Sequence, residues 1–165
     1  MAERMRVLYA IVTGASGAET VGELVALAQA DGWEVCVVPS PNGTRFIDTE
    51  ALAAQTGYPV RSTFKEPGTE DLLPPPDAVV VAPLTTNTLA KWAAGIGDTL
   101  PLALLVETTG AGLPVVAVPH ARAAQLKFPA VVTALSNLAE WGVRFVHISE
   151  GDAVPWMTAL KALDQ

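Results

Sequence analysis

A short run of small and hydroxyl-bearing residues, Gly14, Ala15 and Ser16, has the composition of an anion-binding turn. Small side chains let the backbone come close to an anion, and the first N–H groups of a following helix add a partial positive charge. Ser16 would contribute a hydroxyl donor. The run lacks the lysine of a P-loop and the spaced glycines of a dinucleotide site. It therefore predicts either a phosphate-binding turn or an ordinary strand-to-helix turn capped by serine.

Three further segments carry polar groups that suit the same kind of ligand. Residues 40–44 are again small and rich in hydroxyl groups, and residues 85–88 hold three threonines and one asparagine. A single threonine would cap a helix there, so the others are available to a phosphate, a ring edge or a carboxylate. The last segment, residues 119–122, carries His120 and Arg122. Together the four segments predict a site for one phosphorylated ligand, held without a dedicated lysine.

These polar segments follow short apolar runs rich in valine, isoleucine and leucine. Nearly continuous runs of this kind are typical of parallel strands that are covered on both faces. They predict an α/β fold, a doubly wound Rossmann-like domain with a central parallel sheet of five or six strands. Ligands bind beyond the carboxyl ends of such strands, which is where the polar segments lie. The predicted strands are residues 7–12, 34–38, 78–82, 115–118 and 143–147.

Helical patterns fill most of the sequence between these strands. They cover residues 18–30, 85–94, 101–106, 129–141 and about 154–163, with a break near residues 95–98. Pro129 at a first-turn position and Gly142 after the last turn mark the two ends of the fourth pattern. Residues 63–76 have no clear period, and they are predicted to leave the sheet as a loop.

The composition excludes several classes of protein. The 165 residues are 50% hydrophobic and 16% charged, so we expect one folded domain over residues 1–165. Ten basic against 17 acidic side chains give a net charge of −7, which predicts no nucleic-acid partner and no membrane partner. One cysteine and two histidines predict neither a disulfide framework nor a metal site. The apolar runs are too short to span a membrane, so the expected location is cytoplasmic.

The sequence resembles the flavin-containing cysteine decarboxylases, and the resemblance covers most of the chain. The segment PLTTNTLAKWAAGIGDTL, residues 83–100, is similar to the PASANT motif and the following GIADNLL of that family. VTGASGA is similar to its first flavin loop and closest to the version in flavin prenyltransferases, which are more distant members. VVPSPNGTRFI, residues 37–47, and GLPVVAVPHARAAQLKFPAVVTAL, residues 112–135, are similar to two further family segments.

This resemblance implies an FMN cofactor and a homo-oligomer, a trimer or a dodecamer of trimers. In the family reaction the flavin oxidises a cysteine thiol to a thioaldehyde, and the adjacent carboxylate is then lost. The implied substrate is a small thiol with a carboxylate or a peptide that ends in cysteine. The matching positions are Gly14, Ala15, Ser16 and Ser40 at the phosphate end, Phe46 near the flavin, Thr85, Thr86, Asn87 and Thr88 in the PASANT stretch, and Asp98 for the acid of GIADN.

The resemblance fails at positions that belong to catalysis. Thr69 stands where the decarboxylases carry a histidine, and threonine has no pKa near neutrality. Arg122 replaces the asparagine of the PxMN motif, and arginine can bind a carboxylate through two hydrogen bonds. The family's cysteine-containing clamp is also missing, since Cys36 falls in a predicted strand. The catalytic candidates are therefore Arg122 and Asn87 as substrate contacts and His120 as the acid–base group.

Three functions fit these observations. The first is an FMN-dependent decarboxylase of a cysteine-derived or C-terminal peptidyl-cysteine substrate, with an altered site. The second is a flavin-binding partner or regulatory subunit without catalytic activity, which the missing histidine favours. The third is an enzyme like the flavin prenyltransferases, which GASGA favours, whereas Asn87 and the scarcity of basic residues argue against it.

Overall fold

The computed structural model describes residues 3–165, and its centre is a parallel sheet of five strands in the order β2-β1-β3-β4-β5. The side chains of β1, β3 and β4 are buried throughout, as expected for strands covered on both faces. The predicted parallel sheet is confirmed. The strands are β1 (Val7–Val12), β2 (Glu34–Pro39), β3 (Ala78–Leu84), β4 (Val115–Pro119) and β5 (Arg144–Phe145).

Helices cover both faces of the sheet, so the doubly wound α/β architecture is confirmed. Two single 3-10 turns, Ala18–Thr20 and Gly43–Phe46, follow β1 and β2. The α-helices are α1 (Val21–Ala30), α2 (Thr49–Thr56), α3 (Thr86–Ala93), α4 (Leu100–Gly110), α5 (Ala123–Leu126), α6 (Pro129–Glu140) and α7 (Trp156–Ala162).

Alternate residues of β1 separate the core into two layers. Leu8, Ala10 and Val12 face α1 and α7, whereas Tyr9 and Ile11 face the layer built from α3, α4 and α6. Burying these side chains on both faces contributes on the order of 25 cal/mol for each Å² of apolar surface removed from water. The strand positions are therefore held from both sides, which fixes the carboxyl ends of the strands relative to one another.

The last strand is shorter than the sequence predicts. Residues 143–147 were expected to form a strand, but only Arg144–Phe145 pair with β4. Val143 closes α6 instead, because its N–H donates to the Leu138 carbonyl at 2.9 Å. The strand lies at the edge of the sheet, so its residues have a ladder partner on one side only.

Two helices were not predicted. Helix α2 buries only Leu52 fully, so its sequence carries little of the apolar period that marks a helix. Asp48 caps it by accepting a hydrogen bond from the Ala51 N–H at 3.0 Å. Helix α5 is a single turn, which is too short to leave a periodic pattern.

The segment 63–76 holds neither helix nor strand, and the prediction of a loop off the sheet is confirmed. It returns to the sheet at Asp77, whose carboxylate accepts hydrogen bonds from the Arg4 guanidinium at 2.7 and 3.2 Å and from the Val7 N–H at 2.8 Å. These bonds lower the pKa of Asp77. Within the part of the chain that the structure describes, no helix is both long and apolar enough to cross a bilayer.

Candidate functional site

A buried threonine joins the ends of two neighbouring strands at the carboxyl edge of the sheet. The Thr13 hydroxyl donates to the Pro83 carbonyl at 2.7 Å and accepts a hydrogen bond from the Thr85 N–H at 2.9 Å. On the other side of β3, the His120 N–H donates to the Leu84 carbonyl at 3.0 Å. The turns that follow β1, β3 and β4 are thus held side by side.

These three turns surround a cleft of about 310 Å³. The cleft brings together seven of the twelve residues predicted for the site, from three separate parts of the sequence. Its volume is at the lower end of the range for small-molecule sites. The lining residues are Gly14, Ala15, Ser16, Thr85, Thr86, His120, Ala121, Arg122, Gln125 and Glu150.

The turn after β1 offers backbone donors to an anion. The Ala15 N–H donates to the Thr13 carbonyl at 2.9 Å, and the Gly17 N–H donates to the Glu19 carboxylate at 3.0 Å. Among residues 3–165, the N–H groups of Gly14 and Ser16 donate to no protein acceptor. They and the exposed Ser16 hydroxyl supply uncharged donors at one end of the cleft.

The turn after β2 packs directly on the turn after β1. A Cβ atom on Gly14 would collide with the Asn42 side chain, so any larger residue there would require Asn42 to move. Ser40 lies at this junction, where its N–H donates to the Val12 carbonyl at 2.8 Å and its Oγ accepts from the Gly43 N–H at 3.0 Å. Ser40 is therefore next to the turn after β1 but outside the set of residues that line the cleft.

The first turn of α3 divides its threonines between capping and the cleft. The Thr85 hydroxyl accepts the Thr88 N–H at 3.2 Å and lies 3.2 Å from the Thr88 hydroxyl, which is buried. Thr86 lines the cleft, whereas Asn87 is exposed beside it. Within the described residues, the Thr86 and Asn87 N–H groups lack a protein acceptor, so two further donors lie at this helix start.

Two residues expected at the cofactor lie elsewhere on this chain. Phe46 is half-buried and packs against the core layer of α1 and α7. Asp98 is exposed and accepts a hydrogen bond from the Lys91 ammonium group at 2.9 Å, which lowers the pKa of Asp98. Neither side chain lines the cleft.

The opposite end of the cleft carries charged groups on the turn after β4. Arg122 is exposed, and among residues 3–165 its guanidinium forms no ion pair. Its N–H donates to the Gln125 side-chain carbonyl at 3.1 Å, and the Glu150 carboxylate accepts from the Ala123 N–H at 3.3 Å. This end can therefore bind a carboxylate through Arg122, with the His120 side chain nearby.

Gln125 and Glu150 were not predicted. Gln125 follows Arg122 by three residues, but arginine at the N-cap does not make the Ser/Thr-x-x-Glu/Gln pattern of a capping box, so no sequence signal pointed to Gln125. Glu150 follows β5 and reaches the start of α5 across 27 residues of sequence. No local pattern indicates such a contact.

Thr69, which stands where the decarboxylases carry a histidine, lies away from the cleft. The Thr69 hydroxyl donates to the Glu66 carbonyl at 2.6 Å within the 63–76 loop. This loop and α4 form a separate, larger groove of about 610 Å³ lined by Tyr9, Leu73 and Leu104, among others. The Tyr9 hydroxyl there already donates to the Pro74 carbonyl at 2.6 Å. The groove lies outside the carboxyl ends of the strands, so we assign the site to the smaller cleft.

The single thiol takes no part in the site. Cys36 is fully buried in β2, and this burial raises its pKa to about 12. Within residues 3–165, no three side chains of the metal-binding types are close enough to form a metal site.

The fold and the cleft define a Rossmann-like protein for a phosphate-bearing ligand. Close-fitting glycine, uncharged backbone donors and one serine hydroxyl suit the phosphate of a mononucleotide cofactor. The flavoprotein family matches residues 1–163, and the chain belongs to this family. Its membership confirms the prediction of a flavin cofactor.

The chain is also similar in sequence to curated proteins. The chain is 32% identical over 155 residues to the coenzyme A biosynthesis bifunctional protein CoaBC of Thermococcus kodakarensis. The match covers 87% of this chain but 38% of that protein, so the chain spans less than half the length of the curated relative.

Solved structures with the same architecture include cysteine decarboxylases. The FMN-dependent cysteine decarboxylase SpaF is 28% identical, with a TM-score of 0.77 and coverage of 98% of each chain. The FMN-dependent cysteine decarboxylase TvaF, from thioviridamide biosynthesis, is 25% identical, with a TM-score of 0.73 and coverage of 97% of this chain and 99% of its own. The resemblance to cysteine decarboxylases that the sequence motifs indicate is confirmed.

Proposed function

We propose that the chain, acting as one domain over residues 1–165, binds FMN and decarboxylates a cysteine-derived or C-terminal peptidyl-cysteine substrate oxidatively. One observation carries this proposal. The cleft has uncharged backbone donors at one end and, at the other, a histidine beside an arginine that forms no ion pair among residues 3–165. A cofactor phosphate and a substrate carboxylate would therefore bind at separate ends of one cleft.

The phosphate of FMN would be held by the Gly14 and Ser16 N–H groups and the Ser16 hydroxyl. These donors are uncharged, and they meet the phosphate without removing a charged side chain from water. The ring edge would lie toward Thr85 and Thr86 on the turn after β3. When bound, FMN supplies the two-electron oxidation of the substrate thiol that makes loss of the neighbouring carboxylate easy.

The chain's own contribution to the chemistry would come from the turn after β4. The Arg122 guanidinium can bind the substrate carboxylate through two parallel hydrogen bonds. Histidine is the side chain that exchanges a proton near neutral pH, so His120 would accept or return the proton of the reacting thiol. Asn87, on the facing helix start, would contact the thiol or carboxylate from the other side.

Two substitutions separate these roles. We expect Arg122→Ala to raise KM about tenfold or more, because a hydrogen bond to a charged group contributes roughly 1.5–3 kcal/mol. We expect His120→Ala to lower kcat about a hundredfold. The assay incubates FMN-loaded protein with peptides ending in cysteine and with phosphopantothenoylcysteine, and follows loss of CO₂ by mass. Arg122→Lys is the matched control, since it keeps the charge and loses the two-point geometry.

The outcomes distinguish the competing functions. Turnover that neither substitution changes would mean that the residues are wrongly assigned. A protein that holds flavin tightly but turns over no thiol substrate would favour the flavin-binding subunit without catalytic activity. Thr69, which cannot act as an acid–base group, is the residue that favours this second function.

We also propose that the protein assembles as a homotrimer, or as a dodecamer of trimers. The cleft measures about 310 Å³ and lies at one edge of the sheet, so a second copy of the chain would help to enclose FMN. Phe128, which precedes α6, and Val132, in its first turn, expose 62% and 51% of their surface. Large apolar side chains left at the surface are typical of interfaces between subunits.

A further inference from the structure

We infer that Trp156 is a positioning residue for the cofactor phosphate, acting through Thr20 on the turn after β1. This inference rests on the proposed binding of FMN at that turn. Trp156 begins α7, at the far end of the sequence, and its side chain is buried. It does not line the cleft, so any effect on the ligand must pass through the residues that it contacts.

A continuous chain of hydrogen bonds joins the indole to the phosphate turn. The Trp156 Nε1–H donates to the Thr20 hydroxyl oxygen at 2.9 Å. The Thr20 hydroxyl in turn donates to the Gly17 carbonyl at 2.8 Å, and the Thr20 N–H donates to the same carbonyl at 3.1 Å. The indole therefore fixes the direction of the Thr20 hydroxyl, which holds the Gly17 carbonyl.

The carbonyl of Gly17 needs to be held because glycine offers little resistance to rotation of its peptide. Gly17 has a φ of 98°, a conformation that other residues rarely adopt. Rotation of the Gly17–Ala18 peptide would break both hydrogen bonds from Thr20 and move the backbone next to Ser16. The hydrogen bonds from Thr20 therefore favour the observed form of the turn, in which the Ser16 N–H has no protein acceptor among residues 3–165 and can donate to a phosphate.

The segment before α7 supports the same turn by packing. A Cβ atom on Gly17 would lie 2.6 Å from the Val154 Cγ2 atom, so this buried valine sits directly against the glycine. Val154 and Trp156 thus both contact the turn after β1, although neither lines the cleft. The C-terminal segment therefore supports the turn that would hold the phosphate.

The chain offers a matched control for the indole N–H. Trp92 is also buried, and its Nε1–H donates to the Thr109 hydroxyl at 3.1 Å, at the end of α3 away from the cleft. Replacing either tryptophan with phenylalanine removes one partly buried indole-to-threonine hydrogen bond. The two variants should lose similar free energies of unfolding, so a difference in FMN affinity between them does not come from general destabilisation.

The experiment measures the Kd of FMN by quenching of flavin fluorescence in the full chain. We expect Trp156→Phe to raise Kd about three- to tenfold, the factor that one neutral hydrogen bond corresponds to, and Trp92→Phe to leave it unchanged. The exposed Thr20 gives a second test of the same hydrogen bonds. Thr20→Val should weaken FMN binding at least as much as Trp156→Phe, whereas Thr20→Ser should keep the wild-type affinity. The double variant Thr20→Val with Trp156→Phe should bind FMN no more weakly than Thr20→Val alone.

Each result decides the question. Equal Kd values for Trp156→Phe and the wild type, or equal weakening by Trp92→Phe, would overturn the positioning role while leaving FMN binding intact. Additive effects in the double variant would show that the indole does not act through Thr20. If Trp156→Phe fails to fold, the Thr20 series decides alone. A wild-type protein that binds no FMN would overturn the proposed function and this inference together.

Discussion

The most direct test of the phosphate site places a negative charge on the turn after β1. Ser16 is exposed and lines the cleft, so a slightly larger residue at this position can extend into solvent. Ser16→Asp sets a carboxylate against the expected phosphate, and Ser16→Asn removes the same hydroxyl without adding charge. The comparison of the two variants therefore isolates the electrostatic contribution.

The magnitude follows from Coulomb's law. Two unit charges about 4 Å apart repel by about 1 kcal/mol in bulk water and by about 4 kcal/mol at the effective dielectric of a protein surface. Because Ser16 is exposed, the lower part of that range applies. We expect Ser16→Asp to bind FMN about five- to a hundredfold more weakly than Ser16→Asn, since about 1.4 kcal/mol is tenfold in Kd.

The assay titrates FMN against each variant at low and high salt. Repulsion between exposed charges is screened, so the gap between the aspartate and asparagine variants should narrow as ionic strength rises. Circular dichroism and thermal unfolding of both variants serve as the control for folding. If Ser16→Asp binds FMN as tightly as Ser16→Asn at low salt, the phosphate does not lie at this turn and the reasoning is refuted.

Two further predictions concern the assembly and the fold. Light scattering of the purified protein at micromolar concentration should give the mass of a trimer or a larger assembly. Phe128→Asp should reduce this mass, because the change replaces an exposed apolar side chain with a charged one. A monomeric wild-type protein would contradict the proposed assembly. Asp77→Asn should lower the free energy of unfolding by about 1 kcal/mol at neutral pH, since it weakens the hydrogen bond from the Val7 N–H to a charged carboxylate, whereas the solvent-exposed pair with Arg4 contributes little. The pKa of Asp77 is lowered in the folded state, so this difference should persist down to about pH 4 and disappear below it; a difference that survives at pH 2 would show that the charge is not responsible.

Local patterns in the sequence determine the sheet and most of the helices. The apolar runs at β1, β3 and β4 predict buried strands because both faces of a central parallel strand must be apolar. Helix α2 was not predicted, because a cap and one buried leucine stabilise it rather than a face of regularly spaced apolar residues. The edge strand β5 ended early because pairing on one side depends on neighbours that the sequence does not reveal.

The same patterns indicate much of the candidate site. Gly14 and Ser16 follow a predicted strand, and His120 and Arg122 follow another, so the general rule for parallel sheets brings them to one edge. The rule says nothing about which side chains within a segment face the ligand. Thr86 lines the cleft, whereas Thr88, two residues along the same helix, turns inward to the cap.

The rest depends on contacts between distant parts of the chain. Glu150 reaches the cleft, and Trp156 reaches Thr20 across 136 residues of sequence, because α7 folds back against α1. Such contacts are set by how helices pack on the sheet, and packing of whole elements leaves no short-range signal in the residues concerned. The sequence by itself therefore determines the fold, the flavin family and most of the turns that line the cleft, whereas the tertiary structure alone decides which side chains complete the cleft and which support its turns.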